Sequence, residues 1–170
     1  YGITATELSH DDYKRADAKG RVAVALAGTP DGDNPHGQFT RAGDARFKAA
    51  AARAAGALAL ALIAREENFG DERLARLAYD NAGDAGLPVV VISRRAAASL
   101  FGLDAAKLKE FEQGYQKAVA RPTGQNAPPA VVPLPLGGLS VSLSVDVARK
   151  GAPAANVVGV LAGSDPKLRE

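Results

Sequence analysis

Cysteine, methionine and tryptophan are all missing from the 170 residues. The lack of cysteine excludes disulfides, thiolate zinc sites, iron–sulfur clusters and a cysteine nucleophile. Aromatic residues make up only 5% of the chain, so its core has to be assembled from alanine, valine and leucine. Neither charge dominates: 21 Lys and Arg face 19 Asp and Glu, and they are scattered along the sequence. No basic run interleaves with aromatics, which leaves a nucleic-acid groove without support. The longest apolar stretch, residues 49–64, is broken by Arg53 and Gly56 and is too rich in alanine to make a membrane span. No signal peptide is visible. The absence of methionine, in a chain that opens on Tyr1, predicts a piece of a longer protein.

What is present alternates between strand and helix signals. Gly20 precedes RVAVALAG (21–28), whose near-continuous apolar character predicts a buried strand. The next stretch, TPDGDNPHGQF (29–39), is set by proline and glycine into a stiff, irregular loop. Thr40 is placed to cap a helix over residues 41–55, with Phe47, Ala50, Ala51 and Ala54 sharing one face and Gly56 ending it. ALALALIA (57–64) then predicts a second strand, residues 71–81 a helix, and LPVVVIS (87–93) a third strand. Residues 94–101 read as a short helix. Asp104 is placed to cap a longer one, with Leu108, Phe111, Tyr115 and Val119 on one stripe. A proline-rich connector follows. LSVSLSVDV (139–147) then carries the clearest period-two alternation in the chain, predicting a strand with one buried face. NVVGVL (156–161) predicts a closing strand.

Catalytic signatures are weak. His10, Asp11 and Asp12 are adjacent, so their side chains diverge, and a zinc site needs three converging ligands; a solvated turn is the simpler reading. Asp31, Asp33 and the residues after them begin like a calcium loop, but Pro35 stands where a third oxygen ligand belongs. GTPDG (28–32) lacks the phosphate-cradle patterns, and Pro30 removes an N–H such a cradle uses. Ser93 has no nucleophile-elbow context. The pairs Glu66–Glu67 and Asp71–Glu72 have no apolar pocket near them in sequence to raise a carboxyl pKa. No catalytic residue and no metal ligand is assigned. The one surface singled out is the loop carrying Asp33, Asn34, His36 and Arg41, polar groups on a conformationally fixed excursion that can meet a peptide.

Taken in order, HDDYKRADAKGRVAVALAG, FTRAGDARFKAAAARAAGALALALI and AGLPVVVIS resemble the protease-associated (PA) domain. The resemblance rests on Lys19 to Val22 at the turn into a strand, Ala52 to Ala57 at a helix-to-strand join, and Leu87 to Val91 at the third strand. SVSLSVDV and NVVGVLAGSDPKLR are similar to the junction at which this domain hands over to the catalytic domain of M28-type zinc aminopeptidases. The resemblance implies an α/β (α+β) fold, a curled mixed sheet or open barrel flanked by helices. It implies a domain over residues 1–150, with 151–170 as the junction and first strand of a peptidase domain. It also implies a non-catalytic accessory role, shaping substrate access or binding peptide, in a secreted or periplasmic enzyme. No cofactor is expected in these residues; zinc is expected in the peptidase domain. The expected partners are that domain and a peptide or protein substrate, with no nucleic acid and no membrane span. The alternative is a stand-alone module binding a small ligand at its strand ends.

Overall fold

Three runs of small and branched aliphatic residues form the centre of the protein. In a computed structural model, which describes residues 1–32, 34–65, 85–119, 139–144, 146, 148, 153 and 155–159, they are β3 (Val22–Leu26), β4 (Ala59–Ile63) and β5 (Val89–Ile92). They pair in parallel in the order β3-β4-β5. A short antiparallel ribbon of β1 (Thr4–Ala5) and β2 (His10–Asp11) precedes them. The described helices are α1 (Ala45–Ala54), α2 (Arg94–Leu100) and α3 (Ala105–Val119). The fold is α+β, as expected. Its parallel and antiparallel pairings occupy separate sheets among the described residues, and no barrel closes.

The register explains how the layers stack. Ala23, Leu60 and Val89 lie side by side, as do Ala25, Leu62 and Val91, and these rows pack with Ala45, Ala49 and Ala52 of α1. The alternate row of Leu26, Ile63 and Ile92 faces the other way. It packs with Tyr1, Ile3, Ala97 and Ala98 of α2, and Leu108 and Tyr115 of α3. The sheet is thus covered on both faces, as parallel sheets require. Central β4 is buried along its whole length. Leu60, wholly buried within it, contributes roughly 2 kcal/mol through the apolar area it hides.

Local chemistry sets the helix ends. α1 starts four residues later than Thr40 predicts. The Thr40 hydroxyl donates to the Asn34 carbonyl instead, residues Arg41–Gly43 form a 3-10 turn, and the Asp44 carboxylate caps α1 by accepting from the Arg46 amide. At the other end Gly56 has φ +82°, and the Gly56 and Ala57 amides donate to the Arg53 and Ala52 carbonyls. That left-handed closure lets β4 begin almost at once. Ser93 and Asp104 accept from the Ala96 and Lys107 amides and so open α2 and α3.

Two expectations are corrected. The buried face of α1 is Lys48, Ala49 and Ala52, while Phe47 is 44% exposed and Ala50 and Ala54 face outward. The reason is Lys48, whose Nζ donates to the Tyr1 and Leu26 carbonyls at 2.6 and 2.8 Å and turns the helix toward the sheet end. The alternating segment also differs from expectation. Residues 139–144, 146 and 148 are exposed and belong to no strand, and the same holds for 155–159, where Val157 and Val158 are almost fully exposed. Alternation records compatibility with a sheet surface, but a strand forms only where an edge offers hydrogen bonds. Among the described residues no edge takes these segments. The helix predicted at 71–81 lies outside the described residues, and among them no helix is long and apolar enough to cross a membrane.

Candidate functional site

The long loop begins where β3 ends, at the carboxyl end of the parallel sheet. Thr29 is buried, and its hydroxyl donates to the Gly32 carbonyl at 3.3 Å while the Gly32 amide donates back to the Thr29 carbonyl at 3.1 Å. The Asp31 carboxylate spans the loop to accept from the Phe39 amide at 2.7 Å, and the Phe39 ring is buried edge-on against His10. Asn34 organises the tip: its side-chain oxygen accepts from the His36 amide, and its carbonyl accepts from the Gly37 amide and the Thr40 hydroxyl, each at 3.0 Å. Asparagine favours such turns because its side chain replaces a backbone partner.

This scaffold places Asn34, His36 and Arg41 on the surface, all three exposed. Asp33 lies outside the described residues. Arg41 stacks over the exposed Phe47 ring, its guanidinium carbon 5.2 Å from the ring centre. Beside it Arg46 makes a bidentate pair with the capping Asp44, at 3.2 and 3.3 Å. The loop closes tightly at its base, where a Cβ on Gly43 would lie 2.4 Å from the Thr29 Cγ2 methyl. Gly43→Ala is expected to cost about 1–3 kcal/mol through this overlap. Thr29→Ser, which keeps the hydroxyl and removes the methyl, is expected to recover most of the loss. Denaturant unfolding of the single and double variants measures this. An undiminished loss in the double variant would assign the defect elsewhere.

A second polar cluster is built from residues far apart in sequence. His10 Nε2 lies 3.0 Å from Asp12 Oδ1 and 3.3 Å from the Tyr115 hydroxyl, which itself donates to Asp12. The other Asp12 oxygen accepts from the Ile3 amide at 3.0 Å. Burial pushes the Asp12 carboxyl upward. The bonds from His10, Ile3 and Tyr115 and the neighbouring positive charge outweigh that, holding it well below the usual carboxylate range. An ionised Asp12 only accepts, so His10 Nε2 carries the proton shared with it. Nearby, the Tyr1 hydroxyl donates to Glu112 and accepts from Gln116, and Glu112 holds Arg94 at 2.7 Å while Arg94 donates to the Ala64 carbonyl.

His10 and Asp12, read from sequence as part of a solvated turn, are therefore half-buried tethers between the amino-terminal segment and α3. The sequence signal for this is Tyr115, whose hydroxyl sits on an apolar helix stripe and requires a polar partner there. Chemically the cluster resembles an oriented histidine, but among the described residues no serine, threonine or lysine is bonded to His10. Nor do three His, Asp or Glu side chains converge among those residues as a metal site requires. Near the carboxyl ends of the strands, Leu26, Ile63 and Ile92 pack in one apolar cluster with Tyr1, Ile3 and Leu108. Comparison with protein-family models, with curated proteins and with solved structures gave no match to this chain.

Proposed function

We propose that this chain is a non-catalytic accessory domain of the protease-associated type, working beside the catalytic domain of an M28-type zinc aminopeptidase. What supports the reading is where the resembling motifs fall. Lys19 to Val22 leads into β3, Ala52 to Ala57 spans the α1–β4 join, and Leu87 to Val91 leads into β5. The resemblance expects a strand after the first motif, a helix-to-strand join at the second and a strand at the third. In this reading the domain shapes substrate access or holds peptide through the loop of Asn34, His36 and Arg41. Zinc and catalytic carboxylates belong to the peptidase domain. A secreted or periplasmic location follows from the same resemblance.

The test uses the enzyme that carries this domain. Replacing His36 and Arg41 together is expected to raise KM for peptides several-fold while leaving kcat for a small amino-acid amide unchanged. The split reflects binding outside the reacting centre. The 170-residue chain alone, supplied with zinc, is expected to turn over neither substrate. Turnover by the pure chain, or unchanged KM across several peptides, would sink the proposal.

A further inference from the structure

Arg41 differs from the other charged groups around the loop. Arg46 is engaged by Asp44, and Lys48 is buried against backbone carbonyls. The Arg41 guanidinium lies over Phe47 and makes no hydrogen bond or ion pair among the described residues. Both side chains of the stack are exposed. A cation–π contact restrains a guanidinium without using its N–H groups, so they stay available to an anion. The Thr40–Asn34 bond anchors the backbone immediately before Arg41, which restricts the base of the side chain as well.

We propose that Arg41 on Phe47 is the docking point for the side-chain carboxylate of an Asp or Glu in an extended peptide, with an apolar neighbour of that residue lying along the open part of the Phe47 ring. Charge complementarity selects this occupant. Among the described residues the fork is unneutralised, its donors match a carboxylate bidentately, an exposed aromatic ring adjoins it, and the nearby Arg46 is already engaged by Asp44. The inference rests on the peptide-binding reading of the loop and adds the class of residue it selects.

The experiment measures fluorescence anisotropy of the 170-residue chain with a short labelled peptide carrying Glu beside Leu, and with its Gln counterpart. The Glu peptide is expected to bind about tenfold more tightly, a margin that higher salt reduces. Arg41→Lys and Phe47→Ala each are expected to remove most of that margin, since a lysine keeps the charge but not the stacked fork. Equal affinity for the two peptides, or a margin unaltered in Arg41→Lys, would overturn the carboxylate inference and leave peptide binding by the loop intact. Failure of both peptides to bind would overturn the two together.

Discussion

Replacing Lys48 with methionine is expected to lower stability by roughly 2 kcal/mol, and replacing it with alanine by about 4 kcal/mol. Lys48 has no exposed surface, and its Nζ donates to the Tyr1 and Leu26 carbonyls. Methionine keeps the volume of the stem but leaves both carbonyls without that donor. The loss is moderated because no charge remains to be kept out of water. Alanine removes the stem as well and adds a cavity. Denaturant midpoints at constant m-value rank the three proteins. A methionine variant as stable as the parent would mean that desolvation of the ammonium cancels its hydrogen bonds.

The second large effect is expected at high pH. Burial, reinforced by nearby carboxylates, raises the phenol pKa values of Tyr1, Tyr13 and Tyr115, with Tyr13 pushed up to about 12. Unfolded, these phenols ionise near pH ~10. Above that pH the unfolded chain binds fewer protons than the folded one, so stability falls as pH rises. The contribution is complete below about pH 10 and is lost, for Tyr13, by about pH 12. Tyr13 alone accounts for roughly 1–3 kcal/mol. Phenolate absorbance and circular dichroism should therefore change together in one cooperative step. Ionisation of all tyrosines near pH ~10 with the fold intact would contradict the buried positions. The Tyr13 hydroxyl has no hydrogen-bond partner among the described residues. Tyr13→Phe is thus expected to be neutral or stabilising at neutral pH and to move the alkaline midpoint upward. Asp12 behaves in the opposite sense: its lowered pKa supplies stability above about pH 4 that is lost as pH falls.

Local pattern was enough for β3, β4, β5, α2 and α3, because each is a run whose apolar period matches its own element and whose ends carry glycine, serine or aspartate. It failed for the buried face of α1. Alanine on every side of that helix gives no contrast between faces, and the residue that decides the orientation is a lysine. Its partners are 47 and 22 residues away. His10 and Asp12 were illegible for the same reason, since Tyr115 joins them from more than a hundred positions downstream. The segment at 139–144 failed differently. Its alternation is genuine, but pairing depends on an edge that sequence does not reveal. Of the loop residues, exposure of Asn34, His36 and Arg41 was legible from proline and glycine spacing. The Arg41–Phe47 contact was not, because the sequence groups Phe47 with Ala50, Ala51 and Ala54 on one helix face and carries no sign that Arg41 lies over it.

Lys48 also joins two layers that the sheet otherwise separates. It springs from α1, which packs on one face, and ends on the Tyr1 carbonyl, in the segment packed on the other. A side chain reaching past the end of β3 in this way acts as a clasp. The amino-terminal segment cannot lift away without releasing α1, and α1 cannot slide along the sheet without pulling that segment with it. Two layers that would otherwise fray independently become one cooperative opening unit. Phe47, the residue before the clasp, is held to the same unit, so the outer surface of α1 inherits its rigidity from the far side of the sheet.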